Sequence, residues 1–445
     1  MTPMPVESSG LRECFALILL VPLALAGMAL INTGFGRARS AAHAAMASIA
    51  AIATATIVYC VVGFSVEGFA GLPAHSFTLG GVAWDWLAKE PWLLHGVAGG
   101  GSPAAMAMLL QAFAVGLAAM IPVSAGADRW RLSSCCVSTA LFAAITYPMF
   151  AHWVWGGGWL AQLGRNYGLG LGFLDVGGGG TLHVTGGLTA LAITWILGSR
   201  RGRGSSDGMA AAIPGHNIVY VLFGCVLMVP GWIGINGAGA LLFAGALPGN
   251  VVMIAVNTML SASASLLASM VVTRSRFGKP DASLAANGWV GGLVASSAVC
   301  MFVTPGMAVL VGVITGVLVT FSVEVLEMKL SVDDPGGAVS VHAVAGIWGL
   351  LAVGIFAHVP VAKVIVQGGR SAAAGQMLAQ VVGVATLLGF VLPMTYGLNL
   401  LLDRIMPHRV DTEGERLGMD LHQLGAGAYP EFPMYNDEFS RRRGL

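Results

Sequence analysis

The stretch that decides the fold is GGGGTLHVTGGLTALAITWIL, residues 177–197, which is apolar enough to cross a membrane and yet contains His183. An ionisable side chain is costly inside a bilayer, so such residues usually mark a functional site. A second stretch of the same character is DDPGGAVSVHAVAGIWGLL, residues 333–351, which contains His342. The sequence therefore raises the question of what two histidines do inside apolar segments.

The composition of the whole chain is that of an integral membrane protein. Of its 445 residues, 56% are hydrophobic and only 10% are charged, whereas soluble domains carry about 25% charged residues. The 63 glycines indicate helices that pack closely through small side chains. Apolar runs of about 20 residues recur, without the alternation of a transmembrane barrel. The formal net charge of +1 gives no reason to invoke nucleic acid.

Eleven apolar runs are each long enough to form a transmembrane helix. The first resembles a signal peptide, but its flank contains Glu7, Arg12 and Glu13 rather than a basic cluster, and we interpret it as a span. We predict an all-α integral membrane protein with eleven transmembrane helices in residues 1–404 and a cytoplasmic tail over 405–445. The predicted spans are 14–34, 42–64, 103–125, 132–153, 176–199, 215–236, 249–272, 283–302, 305–327, 338–358 and 374–402.

The charges of the connecting segments predict the orientation of the chain. Of the 22 lysines and arginines, 17 fall in the tail and in the connectors after spans 1, 3, 5, 7 and 9, and the other 5 fall on the opposite side. The positive-inside rule then places the N-terminus outside and the C-terminus in the cytoplasm, and an odd number of spans agrees. The 17 are Arg37, Arg39, Arg129, Arg131, Arg200, Arg201, Arg203, Arg274, Arg276, Lys279, Lys329, Arg404, Arg409, Arg416 and Arg441 to Arg443, and the 5 are Arg12, Lys89, Arg165, Lys363 and Arg370.

The two histidines occupy equivalent positions in spans that run in opposite directions. His183 is eight residues after Asp175, and His342 is eight residues after Asp334, which is about 12 Å along a helix in each case. One histidine descends from outside and the other rises from inside, so we expect both near the middle of an apolar layer about 30 Å thick. The segments are five spans apart, as in an inverted repeat of spans 1–5 and 6–10 with a site at the interface.

The chemistry of these residues leaves alternatives open. Each histidine alone is also compatible with a buried ring that one hydrogen bond satisfies. As a pair, the two offer a donor and an acceptor to a small molecule, and a shared proton would couple their titrations. Asp175 is either an N-cap of the fifth span or a charge that orients a cation. Because no nucleophile, metal-ligand cluster, C-x-x-C pair or cofactor motif accompanies them, we predict neither an enzyme nor a metal or cofactor.

Six motifs lie in order along nearly the whole chain: HWVWGGGWL (152–160), DVGGGGTLHVTGG (175–187), PGWIGINGAG (230–239), SLAANGWVGGLVA (283–295), DDPGGAVSVHAVAGIWG (333–349) and RVDTEGERLGMDLHQLGAGAYPEF (409–432). Together they resemble the ammonium transporter (Amt/Mep/Rh) family. The resemblance implies a homotrimer in the plasma membrane (the inner membrane of a bacterial cell), with one pore per subunit formed by two inverted five-helix halves and a long eleventh helix. It also implies an ordered tail that packs under the trimer, where PII-type signalling proteins bind bacterial members.

The resemblance also implies roles for individual residues. The twin pore histidines of the family fall on His183 and His342, its outer acidic residue on Asp175, the tryptophan of its outer ammonium site on Trp155, and the tryptophan of its W-x-G-x-N motif on Trp232. The implied mechanism begins with recruitment of ammonium to an aromatic face by cation–π attraction. A narrow apolar lumen excludes a bare charge, so the ammonium is deprotonated and ammonia passes.

Several positions depart from the pattern of the family. Ile235 stands where many members have the second gate phenylalanine, Gly239 where a serine commonly helps to bind ammonium, and Asn32 where tyrosine is usual. Phe113 is the candidate for the first gate phenylalanine. These changes weaken the outer site and keep two alternatives to ammonium transport open: a membrane ammonium sensor with little or no flux, and a transporter of another small neutral solute.

Some of these residues also have plainer interpretations. Trp155 is equally typical of an interfacial aromatic belt, Phe113 of plain packing, and Asn236 of a helix-end cap in a glycine-rich turn. The polar tail has the composition of a disordered segment, and its three terminal arginines are suited to anionic lipid.

Overall fold

The computed structural model describes residues 8–97, 101–203, 213–357 and 375–429. Ten helical segments within these ranges are long and apolar enough to cross a membrane. The chain is therefore a mostly helical, multi-pass membrane protein, as its composition predicts. The ten segments are Gly10–Phe35, Ala38–Glu67, Pro103–Ala125, Leu132–Val154, Gly179–Leu197, Ile218–Phe243, Pro248–Phe277, Pro305–Met328, Val339–Phe356 and Gln376–Ile405.

The individual elements are mostly α-helices. They are Ser8–Ile18, Pro22–Phe35, Ala41–Val58, Phe64–Glu67, Pro103–Ala125, Leu132–Leu141, Tyr147–Val154, Leu163–Tyr167, Thr185–Leu197, Ile218–Phe243, Val251–Phe277, Ala282–Val299, Pro305–Met328, Ala345–Phe356, Gln376–Thr386, Leu392–Ile405 and Thr412–Leu417. Short 3₁₀ turns lie at Ala38–Ser40, Trp92–Leu94 and Pro248–Asn250, and the strands are Ala74–Leu79 and Val82–Ala88.

The helix Ala282–Val299 coincides with the predicted span at 283–302. It packs against five spanning segments, and most of its side chains are buried. Because glycine, serine and alanine make up much of its 18 residues, it is less apolar than the ten segments above. The predicted number of eleven spans rests on this helix. The predicted span limits at 358 and 374 lie outside the described residues, as do Lys363, Arg370 and the arginines at 441–443.

Wide π-helical turns interrupt several spanning segments. Two of them begin the segments that carry the sequence-predicted histidines: Gly179–Val184 contains His183, and Val339–Val344 contains His342. Such turns are rare and occur frequently at functional sites. The remaining π turns are Tyr59–Gly63, Phe142–Thr146, Leu387–Val391 and Asp420–Leu424.

The helices pack through small residues, as the glycine content predicts. A Cβ atom added at Gly27 would lie 2.5 Å from the carbonyl oxygen of Gly224, and one at Gly224 would lie 2.5 Å from that of Gly27. The helices Pro22–Phe35 and Ile218–Phe243 therefore cross with their backbones in contact. These are the first helices of the two halves that the sequence predicts.

A β-hairpin stands in the connector between the second and third spanning segments. Strand Ala74–Leu79 pairs antiparallel with Val82–Ala88, and Gly80 and Gly81 form the turn with φ angles of 62° and 79°. Two consecutive positive φ values match the twist of a two-residue hairpin, and glycine adopts them without strain. This element was not predicted from the sequence.

Buried ion pairs hold together the connectors that carry the excess of arginine. Arg200 lies 3.1 Å from Asp128 and 3.0 Å from Asp333, and Arg203 lies 2.9 Å from Asp333. Arg129 donates a hydrogen bond of 2.7 Å to the carbonyl oxygen of Asp333. Burial alone would raise the pKa of Asp333, but Arg129 and Arg200 outweigh it and hold that pKa at about 2.

The tail is ordered against the same face as far as Tyr429. The Asp420 carboxylate accepts hydrogen bonds from the backbone N–H groups of Ala42 (3.2 Å) and His43 (2.8 Å), at the start of a spanning helix. Glu415 is buried and pairs with Arg409 at 2.8 Å. The alternative of a disordered tail is wrong for this part of the chain, and residues 430–445 lie outside the described ranges.

Candidate substrate pathway

The two histidines of the apolar segments face each other in the structure. Nδ1 of His183 lies 3.3 Å from Nδ1 of His342, and the ring centroids are 5.3 Å apart. The side chains are fully buried or nearly so, with 0% and 3% of their surface exposed. When the Nδ1 atom of one ring carries a hydrogen, the Nδ1 atom of the other ring accepts the hydrogen bond. The Nε2 atom of the first ring is then an acceptor, and the Nε2 atom of the second ring is a donor.

Trp232 supports one ring of this pair. Its indole lies parallel to the imidazole of His183, with the centroids 4.7 Å apart and the planes inclined by 6°. The indole N–H is itself fixed, because it donates to the carbonyl oxygen of Leu293 and to Oγ of Ser297, each at 2.9 Å. Nε2 of His183 is buried and has no hydrogen-bond partner among the described residues, which leaves it free for a small molecule.

Aspartates cap the segments of both histidines in the same way. Oδ2 of Asp175 accepts hydrogen bonds from the backbone N–H groups of Gly180 (3.0 Å) and Thr181 (2.7 Å), and Oδ2 of Asp334 accepts one from Val339 at 2.7 Å. The carboxylates thus satisfy backbone N–H groups in the first turn of each segment, from outside the N-cap position itself. Burial raises the pKa of Asp175 above its ordinary value and that of Asp334 to about 6. In both carboxylates Oδ1 is buried and finds no partner in the described part of the chain.

A small cavity contains several of the predicted site residues. Trp155, Ile235 and Gly239 all line it. Phe113 does not line the cavity. Its neighbours on the helix Pro103–Ala125, Leu110 and Ala114, line it instead. The full lining is Leu110, Gln111, Ala114, Trp155, Val176, Gly177, Leu182, Ile235, Gly239 and Phe243.

Trp155 is held on two sides. Its indole N–H donates a hydrogen bond of 2.7 Å to the carbonyl oxygen of Asp175. Its ring stacks on Phe243, with centroids 4.7 Å apart and an interplanar angle of 12°. Only 6% of its surface is exposed, so it is not a lipid-facing belt residue. Phe243 covers part of the indole and leaves the remainder for the cavity.

The glycine at position 239 is explained by a close backbone approach. A Cβ atom there would overlap the carbonyl oxygen of Val176. Likewise, a Cβ atom at Gly177 would overlap the side chain of Asn236. The helix Ile218–Phe243 thus lies directly against the segment that carries Asp175, and a serine at 239 does not fit unless one of them moves.

Two asparagines tie helices together. Asn236 lies well inside the helix Ile218–Phe243, where its amide donates to Thr258 (2.9 Å) and Ser296 (3.3 Å). Its interpretation as a helix-end cap is therefore wrong. Asn32 is buried and donates to Oγ of Ser48 at 3.1 Å, so the position that differs from the family's tyrosine links two spans.

Sequence reasoning missed seven of the ten residues of the cavity wall, among them Leu110, Gln111 and Phe243. Gln111 carried a usable signal, because it is a polar residue in the middle of an apolar run. Leu110 and Phe243 carried none, since apolar residues in spanning helices are ordinary.

Together the fold and site define a multi-pass α-helical membrane protein with a buried histidine pair and an aromatic cavity. The model of the Ammonium Transporter Family matches residues 14–429. The chain therefore belongs to the ammonium transporter family, and the resemblance carried by the six motifs is confirmed.

Individual relatives agree with this assignment. The ammonium transporter Amt2 of Archaeoglobus fulgidus is 35% identical, over 96% of this chain and 89% of that protein. An ammonium transporter of Bacillus subtilis is 31% identical, over 94% and 97%. These relatives are named as transporters, not as enzymes.

Solved structures share the fold. A sensor Amt protein superimposes with a TM-score of 0.82 and 26% identity, covering 93% of this chain and 98% of that one. Mep2 of Candida albicans superimposes with a TM-score of 0.80, covering 97% and 92%. Its identity of 24% supports a shared fold only.

Proposed function

We propose that the protein is a channel-like transporter of ammonium and ammonia. Ammonium is recruited at the small cavity lined by Trp155, which we place at the outer end of the pathway and call the outer cavity. There the free part of the Trp155 indole attracts a cation. It is deprotonated there, the proton moves along or near the histidine pair, and ammonia passes along Trp232, His183 and His342. The single observation that carries the proposal is the histidine pair, with Nδ1 atoms 3.3 Å apart and fully buried in an otherwise apolar segment.

The other site residues are assigned subsidiary roles. Asp175 shapes the outer end by capping the segment of His183 and by accepting the indole N–H of Trp155. Ile235 and Gly239 form an aliphatic cavity wall in place of an aromatic gate and a hydroxyl. Phe113 is assigned to packing beside the cavity, because Leu110 and Ala114 line it.

The architecture proposed for this function has eleven transmembrane helices. Two inverted halves of five are followed by the long segment Gln376–Ile405, with the N-terminus outside and the C-terminus in the cytoplasm. The mirrored aspartate–histidine spacing supports the repeat. We also propose a homotrimer in the inner (plasma) membrane, with the tail as the place where a PII-type signalling protein would bind.

A flux measurement tests the function. Purified protein in liposomes is exposed to a rapid step of ammonium chloride, and the transient current and internal pH are recorded. The proposal predicts an ammonium-dependent current that is absent for an equal step of potassium chloride and in protein-free liposomes, where ammonia crosses the lipid without carrying charge. Absence of any ammonium-dependent current from folded, reconstituted protein would contradict it.

A membrane ammonium sensor is the second candidate. The similarity to a sensor Amt protein at 26% identity favours it, as does a tail anchored through Asp420. The same preparation separates the two candidates. Tryptophan fluorescence measures the binding of ammonium, and binding without flux supports the sensor. Flux of methylamine or carbon dioxide without ammonium dependence would instead indicate a transporter of another small neutral solute.

A further inference from the structure

Gln111 is the residue of the outer cavity whose polar side chain has an unpaired hydrogen-bond donor. Of the ten lining residues, only Gln111 and Trp155 carry polar side-chain atoms, and the indole N–H of Trp155 is already bonded to Asp175. Gln111 is 1% exposed. Its Nε2 is buried and has no partner in the described residues, and a buried donor left unpaired costs free energy.

Tyr147 determines which end of this amide is free. The hydroxyl of Tyr147 donates to Oε1 of Gln111 at 2.6 Å, and it has no other hydrogen-bond partner in the part of the chain that the structure describes. Rotating the amide by half a turn would leave this buried hydroxyl without an acceptor. Oε1 is therefore engaged, and the N–H group is the end available to an occupant of the cavity.

An amide N–H distinguishes the two forms of the transported species. Ammonia has a lone pair and accepts a hydrogen bond, whereas ammonium carries only donors, so an N–H group opposite it is repulsive. The Trp155 face and the Gln111 N–H in the same cavity thus suit the protonated and the deprotonated species respectively.

We propose that Gln111, oriented by Tyr147, holds the deprotonated substrate, ammonia or a small neutral amine, in the outer cavity. The proposal rests on the proposed function and adds a residue to it. By binding ammonia rather than ammonium, Gln111 favours the loss of ammonium from the face of Trp155. Tyr147 is a positioning residue in this scheme, since it acts only through Gln111.

The test uses Tyr147→Phe, which removes the donor that fixes the amide and lets Oε1 turn towards the cavity. A carbonyl oxygen holds ammonium, so we expect the variant to bind ammonium about tenfold more tightly and to transport it more slowly. Gln111→Met, of similar volume, should transport more slowly without binding more tightly. Binding is followed by tryptophan fluorescence titration with ammonium chloride, and transport by the current in liposomes.

Tyr59→Phe is the matched control. Tyr59 is a buried tyrosine packed against Tyr147 at a centroid distance of 6.3 Å, but its hydroxyl donates to Glu67 at 2.7 Å and not to the cavity wall. It should leave binding and transport unchanged. The proposal is overturned if Tyr147→Phe behaves like Tyr59→Phe, or if it binds ammonium no more tightly than Gln111→Met. A wild type that binds but does not transport would refute the function alone, because the binding comparison still tests the amide.

Discussion

Position 239 requires glycine because the backbone of Val176 lies against it, and a substitution there tests this contact. Gly239→Ala places a Cβ atom against the carbonyl oxygen of Val176, and overpacking of this kind costs about 1–3 kcal/mol. Gly397→Ala is the matched control, because that glycine also lies in a spanning helix and a Cβ atom there meets nothing within 4 Å. We expect the thermal midpoint in detergent to fall for Gly239→Ala only. Equal midpoints would show that the two backbones separate freely.

The same contact explains why restoring the family's serine would not restore its binding site. Serine carries the same Cβ atom, so Gly239→Ser has to displace the Val176 segment before its hydroxyl reaches the cavity. The sequence predicted that Gly239 belongs to the outer site but not the reason for glycine, because the reason is a backbone contact between residues 63 positions apart in the chain.

Asp334 gives a pH-dependent prediction. Burial raises its pKa from 3.8 to about 6, so the folded protein binds this proton more tightly than the unfolded chain. A carboxyl group of this kind stabilises the fold below pH 3.8, and that contribution is lost as the pH rises through about 6. Asp334→Asn removes the titration and keeps an oxygen for the Val339 N–H. The thermal midpoint of the variant should therefore rise relative to that of the wild type as the pH increases from 5 to 7.5. A difference in midpoint that does not change with pH would contradict the assignment.

At the scale of elements, the β-hairpin is a clamp on the turn that carries Trp155. The Asp85 carboxylate accepts a hydrogen bond from Nε2 of Gln162, which also donates to the carbonyl oxygen of Gly157 at 2.9 Å. The backbone carbonyl of Asp85 accepts from the N–H of Trp159 at 3.1 Å. The hairpin strand therefore holds the turn over residues 155–162 in place.

Loosening this clamp should weaken the outer site. We expect Asp85→Ala to raise the ammonium concentration for half-maximal current several-fold, about 1 kcal/mol in binding, because one hydrogen bond of that order is lost. Thr78→Ala, at an exposed position of the same hairpin, should not change it. If both variants have the wild-type half-maximal concentration, the hairpin has no part in positioning Trp155.

The lengths of the apolar runs predicted the spanning helices of this molecule, but not the π turns within them or the hairpin between them. The spans were found because a bilayer requires about 20 apolar residues. The π turns around His183 and His342 were not, since they depend on packing against other helices. The hairpin was missed because its alternating pattern is short and interrupted by a bulge near His75. Gln111 shows the same limit: its polarity was visible, but its partner Tyr147 is 36 residues away.

At the scale of the whole molecule, several charged side chains join the tail to the membrane domain, among them Arg409, Glu415 and Asp420. Asp420 accepts the N–H groups of Ala42 and His43, where a carboxylate also interacts favourably with the helix dipole. We expect Asp420→Ala to release the last part of the tail, which limited proteolysis would detect as faster cleavage beyond residue 417. Glu413→Ala is the control, because this exposed residue pairs with Arg416 inside the tail. Equal cleavage rates for both variants would contradict the anchor.

The arginines that predicted the orientation have a second role that the sequence did not reveal. Arg200 and Arg203 are paired with Asp333 inside a buried cluster, so they also hold the connectors together. Their number alone was enough to predict a side of the membrane. Their pairing could not be predicted, since it joins residues more than 100 positions apart.

The current through protein in liposomes, measured for ammonium and for potassium, tests the central claim most directly. His183→Ala or His342→Ala removes half of the buried pair. We predict that each variant loses ammonium current or admits potassium, whereas His75→Ala, at an exposed position of the hairpin, retains both the current and the selectivity of the wild type. Unchanged ammonium current and unchanged exclusion of potassium in both pore variants would contradict the proposal that His183 and His342 form the pathway.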